Sequence, residues 1–375
     1  MADGAVMPMA VVTAEGAALV VRFADGAVLP IHPLWLRERC RDAASLDAHT
    51  EQRLYNPSDL DPGVAITEIA ETGAGVFEIS FTDAASACFA AADIIAEICG
   101  GAGDTVPAPA PWNAADAAPR AVDWRRCAED GTQFAALHDF LVHGYIIMNH
   151  VPRDPGAVLD VARRFGFPRE TNFGLLFDVR SVPQANDLAY TSLALDPHTD
   201  NPYRAPVPGI QLLHCLTNGT PGGLSTLVDG LAVAAALREE APKLFDVLAA
   251  TRVRFRYVDA DTELVASAPL IELDADGGFS AIHYSPRLDF VPLRPPETLE
   301  IFYAARRRLD RMLKSEAFER RFRLDDGDLM MFDNRRLLHG RTGFDPSAGL
   351  RHLQGCYIDV DGPSSRYRVL RRRLA

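Results

Sequence analysis

His198 and Asp200 flank a single threonine, and His339 stands far downstream in Phe332-Asp333-Asn334-Arg335-Arg336-Leu337-Leu338-His339-Gly340-Arg341. These three residues constrain the chain more than any others. Two imidazoles and one carboxylate make the facial triad that holds non-haem Fe(II) and leaves coordination positions open. On an extended segment, residues i and i+2 point to the same side, so His198 and Asp200 can reach one ion. His339 must then come from a distant strand, which demands a β-rich fold that returns the chain to this point. Arg351 follows His339 after enough chain for a turn and a returning strand. A fixed guanidinium there can clamp a carboxylate bidentately. Metal, open positions and an anion clamp together imply an iron oxygenase that consumes a 2-oxo acid.

The 375 residues predict one large domain or two unequal ones, and a formal net charge of −13 argues against nucleic acid or anionic membrane as the main partner. Six cysteines (Cys40, Cys88, Cys99, Cys127, Cys215, Cys356) show no pairing pattern. Reduced thiols in the cytoplasm are the better expectation. Met1 to Gly16 has no signal-peptide pattern, and no apolar run approaches the roughly 20 residues of a membrane span.

Residues 10–35 alternate around Ala24-Asp25-Gly26 and predict a hairpin, residues 64–82 predict two more short strands, and 84–99 a helix. Gly100-Gly101-Ala102-Gly103 followed by Val106-Pro107-Ala108-Pro109-Ala110-Pro111 reads as a boundary with a semi-stiff linker. The expected organisation is a small β-rich domain over 1–103, a linker over 104–124 and a catalytic domain over 125–375. Beyond the linker, helices are expected over 128–143, 155–165, 231–250 and 297–322. Strands are expected over 145–148, 209–215, 225–228, 253–258, 282–284, 328–332 and 353–358. Many strands with a few flanking helices predict a double-stranded β-helix, a jelly-roll barrel.

A bare His-X-Asp is common by chance, so its surroundings carry the weight. Pro206-Val207-Pro208-Gly209-Ile210-Gln211-Leu212-Leu213-His214-Cys215 follows, then Gly222-Gly223-Leu224-Ser225-Thr226-Leu227-Val228-Asp229-Gly230. With the His339 segment and Arg351-His352-Leu353-Gln354-Gly355-Cys356-Tyr357, this resembles the γ-butyrobetaine hydroxylase branch of the taurine-dioxygenase-like Fe(II)/2-oxoglutarate oxygenases. The resemblance runs from about residue 135 to the end. It implies that His198, Asp200 and His339 bind Fe(II), and that 2-oxoglutarate meets Arg351 and packs on Leu213. Ser225 stands at a hydroxyl position that assists in related enzymes, although the neighbouring Thr226 could serve instead. A carboxylate at Asp200, rather than Gly or Ala, favours hydroxylation over halogenation. A homodimer is also implied.

A quaternary ammonium ion cannot donate a hydrogen bond, so its site is a cage of aromatic faces. The family's cage carries over to Phe173, Phe177, Tyr190 and Tyr357. An arbitrary phenylalanine is more often core. Even so, Asn172-Phe173-Gly174-Leu175-Leu176-Phe177-Asp178-Val179-Arg180-Ser181 is similar to the bacterial butyrobetaine enzymes. The other end of the substrate departs from pattern. Asp187 replaces an asparagine that contacts the substrate carboxylate, Asn201 replaces an apolar or aromatic residue, and Arg287 adds a cation. Extra donors and a full positive charge suit a phosphonate better than a carboxylate; a surface salt bridge is the plain alternative for Arg287. The expected substrate is (2-trimethylammonioethyl)phosphonate, hydroxylated at carbon 1, with γ-butyrobetaine as alternative. A zinc hydrolase or a silent 2-oxoglutarate sensor are readings from other classes.

The first domain carries His32-Pro33-Leu34-Trp35-Leu36-Arg37-Glu38-Arg39-Cys40, similar to the N-terminal domain of butyrobetaine and trimethyllysine hydroxylases. There, further cysteines and a histidine complete a structural zinc site. Here only Cys40 remains of four ligands, so no structural zinc is expected.

Overall fold

The computed structural model describes residues 10–98, 106–180 and 192–374. The chain divides into two compact units, Met1–Thr105 and Val106–Ala375.

In the first unit, β1 (Ala10–Glu15), β2 (Ala18–Phe23) and β3 (Val28–Pro30) form one antiparallel sheet, followed by the short helix α1 (Pro33–Arg37). A second sheet holds β4 (Ile66–Gly73), β5 (Val76–Phe81) and β6 (Ser86–Ala90), and α2 (Ala91–Ile98) follows. The helix expected over 84–99 is therefore half strand. Ser86–Ala90 completes a ladder on β5, with Phe77 opposite Phe89, and that pairing overrides alanine's helical preference. Leu19, Leu36, Phe77, Ile79 and Ile94 fill the core between the sheets. Arg37 Nε donates to Asp83 Oδ2 at 2.7 Å, tying α1 to the turn between β5 and β6. Cys40 is buried nearby, and burial pushes its thiol up to about 11.

The second unit runs β7 (Val122–Asp123), α3 (Asp130–His143), β8 (Tyr145–Asn149), α4 (Ala157–Phe165), β9 (Pro168–Arg169), β10 (Phe177–Arg180), β11 (Leu195–His198), β12 (Ile210–Asn218) and β13 (Ser225–Asp229). Then come α5 (Gly230–Glu240), α6 (Pro242–Ala250), β14 (Arg252–Val258), β15 (Glu263–Pro269), β16 (Ile271–Leu273), β17 (Phe279–Ile282) and β18 (Asp289–Phe290). The last elements are α7 (Pro296–Leu313), β19 (Arg320–Phe322), β20 (Leu329–Asp333), β21 (Leu337–Arg341), β22 (Arg351–Ile358) and α8 (Asp361–Leu374). The major sheet orders β10-β22-β12-β20-β8-β7, with β9 also on β22, and the minor sheet orders β11-β21-β13-β19. The two make a jelly-roll barrel. Cys215, Leu227, Met330, Phe332, Leu337 and Leu353, drawn from both sheets, pack in one cluster between them.

One helix layer, α3, α4 and α8, covers the outside of the major sheet around Leu137, Phe140, Val161, Phe165 and Leu370. A second cluster joins α5, α6 and α7 to the inserted strand β14. The helix expected over 231–250 is two, because Pro242 can open a helix but cannot continue one. The helix expected to reach 322 stops at Leu313, and Arg320–Phe322 joins the barrel as β19 against β13. Within the stretch expected as linker, Trp112 is buried. Its backbone N–H donates to Asp229 Oδ2 at 3.0 Å and its indole N–H to the His143 carbonyl at 2.8 Å.

His214 lies on β12 with its side chain on the face of Ile210 and Leu212, fully buried. Neither ring nitrogen has a hydrogen-bond partner among the described residues, and burial lowers its pKa to about 4. The unfolded chain, near the ordinary value of about 6.5, binds this proton first. Stability is therefore full above that value and falls as pH drops towards 4. His214→Leu is expected to remove this slope and raise the melting temperature, read by thermal denaturation across that range.

Candidate active site

His198 closes β11 and stands directly opposite His339 on β21. Their rings lie 4.4 Å apart, centroid to centroid. Asp200 follows in a tightly held turn. Thr199 N donates to the Tyr284 carbonyl at 2.8 Å, and Tyr284 N donates to Thr199 Oγ1 at 3.0 Å. The buried Asn334 side chain accepts from Asp200 N at 2.7 Å and donates to the carbonyls of Asp200 (3.0 Å) and Pro208 (3.1 Å). Asn334 thus fixes the backbone of the metal carboxylate, a role that nothing in its spacing announced.

His198 Nε2 lies 3.5 Å from Asp200 Oδ1, and His339 Nε2 lies 3.8 Å from Asp200 Oδ2. One ligand atom from each residue falls within 4.8 Å of the others. His198 Nδ1 sits 2.9 Å from the Asp196 carbonyl, an acceptor, so Nδ1 carries the proton and Nε2 keeps its lone pair. Burial, then the charge of His198, pushes His339 down to about 3, which leaves that imidazole neutral. Burial would raise the Asp200 carboxyl. The two imidazoles and the Tyr357 hydroxyl outweigh it and hold Asp200 below the usual carboxylate range. Two imidazoles and one carboxylate converging on a point fit Fe(II).

The same cavity is also lined by Arg351, 6% exposed. Burial lowers it to about 10, and among the described residues no carboxylate pairs with it. Its Nε is buried without a hydrogen-bond partner among the described residues, and its guanidinium lies 5.5 Å from the centre of the Phe344 ring. A Cβ on Gly223, where φ is +60°, would stand 3.0 Å from that Nε. Glycine is the residue that leaves this room. An unpaired buried cation is expensive unless an anion completes it. Leu213 and Ser225 line the cavity, whereas Thr226 does not and packs under Gly340. Arg341, opposite Ser225, is a second buried arginine in the lining, 5.0 Å from the Phe344 ring centre. Sequence reasoning passed it over, although its place two residues after His339 puts both side chains on one strand face.

Phe173, Phe177 and Tyr357 line the cavity, with Phe177 and Tyr357 ring centroids 5.4 Å apart. Tyr190 and Asp187 lie outside the described residues. Tyr203 and Tyr257, not foreseen, add two more rings: they stack at 5.0 Å, and Tyr257 meets Phe173 edge-on at 5.7 Å. Asn201 also lines the cavity, buried, with φ +53°. Its Oδ1 accepts from the Tyr203 hydroxyl, and its side-chain amide lies against the Tyr357 hydroxyl. Ser285 and Arg287 complete the wall, and Arg287 makes no ion pair among those residues. His214 and His283 are not in the lining; His283 Nε2 instead meets Glu272 at 2.7 Å.

A jelly-roll lumen with a His-Asp-His face at one point and an unpaired buried arginine at another defines a class, the Fe(II)/2-oxoglutarate-dependent dioxygenases. Sequence comparison agrees. The model of the taurine catabolism dioxygenase TauD, TfdA family matches residues 106–357, and that of the γ-butyrobetaine hydroxylase-like N-terminal domain matches 11–90. The chain belongs to the TauD, TfdA family and is an Fe(II)/2-oxoglutarate dioxygenase of its γ-butyrobetaine hydroxylase-like branch. It is 34% identical to a γ-butyrobetaine dioxygenase of Pseudomonas sp. (strain AK-1), over 98% of this chain and 97% of that one. It is also 34% identical to the human γ-butyrobetaine dioxygenase, over 62% of this chain and 61% of the relative. The mitochondrial trimethyllysine dioxygenase of Rattus norvegicus is 29% identical, over 90% of this chain and 82% of the relative. Among the described residues no helix is long and apolar enough to cross a membrane.

Proposed function

We propose that the protein hydroxylates a small trimethylammonium compound whose other end is a strong anion, with (2-trimethylammonioethyl)phosphonate as the substrate. Iron and 2-oxoglutarate supply the oxidising chemistry: O2 and the 2-oxo acid are consumed, succinate and CO2 leave, and a substrate C–H becomes C–OH. Within that reaction His198, Asp200 and His339 hold the metal. Arg351 holds the far carboxylate of the cosubstrate beside Leu213 and Ser225. The cavity's aromatic faces, Phe173, Phe177 and Tyr357, receive the trimethylammonium group, where a cation that cannot hydrogen-bond is attracted by ring quadrupoles. Tyr190 is proposed for the same cage; Asp187 is proposed to border the substrate without meeting its anionic end, because like charges repel.

The observation that carries the phosphonate is the presence of both Arg287 and Asn201 in the cavity wall. One is a cation in the wall with no ion pair among the described residues; the other adds a buried side-chain amide to the same wall. A phosphonate offers three acceptor oxygens and up to two charges to these donors, more than a carboxylate does. The names of the relatives favour γ-butyrobetaine as the second reading. Arg287→Gln separates the two. On the phosphonate it is expected to lower kcat/KM by roughly 30-fold or more, the scale of a lost charge-assisted contact. The melting temperature should stay unchanged, since Arg287 is exposed. Unaltered kinetics on the phosphonate, or turnover of γ-butyrobetaine alone, would remove the phosphonate from the proposal. The homodimer that the resemblance implies is proposed as well, and so is a zinc-free first unit.

A further inference from the structure

Tyr357 occupies a position that the substrate and the metal carboxylate share. Its ring lines the cavity beside Phe177, with centroids 5.4 Å apart. Its hydroxyl donates to Asp200 Oδ2 at 2.8 Å. Tyr357 is 3% exposed, and the Asp200 side chain keeps 25% of its surface open. Asp200 itself is held from behind, because Asn334 fixes its backbone N–H and carbonyl. Its carboxylate therefore has little freedom to adjust except through the groups that touch its oxygens. Those groups are the two imidazoles and the Tyr357 hydroxyl.

We infer that Tyr357 relays occupancy of the aromatic cage to the metal-binding carboxylate: a cation on the ring face polarises the phenol, and the hydroxyl then donates more strongly to Asp200. The inference rests on the trimethylammonium reading above and adds a coupling to it. A cation against a phenol ring draws electron density from the oxygen and makes the O–H a better donor. The stronger the hydrogen bond into Oδ2, the less charge the carboxylate shares with a bound metal. Groups hydrogen-bonded to metal ligands tune metal sites in this way. Linkage makes the effect reciprocal, so the metal also changes the affinity for the cation. Tyr357 acts here as a positioning residue through Asp200, in addition to offering its ring.

The test uses the full-length protein loaded anaerobically with Co(II) and 2-oxoglutarate, where no turnover occurs and the ligand field is read from visible absorption. Two ligands are compared: (2-trimethylammonioethyl)phosphonate and its neutral carbon isostere, 3,3-dimethylbutylphosphonate. In the unaltered protein the cation is expected to shift the Co(II) bands, and the isostere to shift them far less. Tyr357→Phe keeps the ring and removes the hydroxyl. It should bind the cation with affinity within a few-fold of the parent yet lose the band shift. Phe177→Leu weakens the cage but keeps the hydroxyl, and at saturating cation it should show the full shift. An undiminished shift in Tyr357→Phe overturns the relay. Loss of cation binding in that variant also overturns it, because the hydroxyl would then be a binding contact. If neither the phosphonate nor γ-butyrobetaine binds the unaltered protein, the failure lies in the trimethylammonium reading, and the binding isotherm shows it before any spectrum is taken.

Discussion

Arg351→Met is expected to lower affinity for 2-oxoglutarate by roughly 10²–10³-fold while raising the melting temperature. The two effects have one origin. Arg351 is a buried guanidinium that burial lowers to about 10 and that meets no carboxylate among the described residues. Without its anion it destabilises the barrel, because an uncompensated buried charge is costly, and an apolar side chain of similar length removes that cost. With its anion it forms a desolvated pair, and removing one partner of such a pair costs about 2–5 kcal/mol of binding. Binding of 2-oxoglutarate to the Mn(II) form, followed by calorimetry, measures the first effect. A thermal melt without cosubstrate measures the second. A 2-oxo acid lacking the far carboxylate, such as 2-oxobutyrate, should bind the parent and the variant alike. Unchanged 2-oxoglutarate affinity would relocate the clamp, with Arg341 as the next residue to examine.

The second large effect is on folding. Arg336 Nε donates to Asp229 Oδ1 at 2.9 Å, and a terminal nitrogen of Arg336 donates to Oδ2 at 2.8 Å. Both side chains are buried. The same guanidinium donates to the carbonyls of Val142 and Ala110, and Asp229 accepts from Trp112 N and caps α5 through Leu231 N. One ion pair therefore joins β13, β21's entry turn, α3's end and the segment that approaches the barrel. Asp229→Ala leaves the arginine charge buried and unpaired, at about 3–5 kcal/mol. For a unit of this size that lowers the melting temperature on the order of 10 °C. The double variant Asp229→Leu, Arg336→Met should recover most of the loss. A single variant as stable as the parent would mean that water reaches Arg336.

The barrel was legible because its strands carry their own signals. The run Ile210-Gln211-Leu212-Leu213 alternates core and cavity residues, and the histidines sit at strand positions that the pairing of β11 with β21 brings face to face. What escaped was set by tertiary context. Ser86–Ala90 is alanine-rich yet pairs with β5, and no local signal outranks a waiting strand edge. The break at Pro242 was readable in principle, since proline both opens α6 and prevents α5 from continuing. Tyr203 and Tyr257 reach the cavity from a loop and from the inserted strand β14, at no spacing that relates them to the triad. Asn334 falls inside the motif that carries His339, but its three hydrogen bonds around Asp200 exist only once two distant segments meet. Arg341 could have been found from strand alternation alone, because His339 and Arg341 share a face.

Succinate formation is the most direct measurement of the central claim. Fe(II)-loaded protein, purified without oxygen, is given 2-oxoglutarate and O2 with each of five compounds: (2-trimethylammonioethyl)phosphonate, γ-butyrobetaine, trimethyllysine, taurine and unmethylated 2-aminoethylphosphonate. The account predicts strong stimulation by the trimethylammonium phosphonate and little by its unmethylated form, because only the former fills an aromatic cage. Equal stimulation by the unmethylated amine, or by taurine alone, would contradict the cage and with it the assignment of the substrate class.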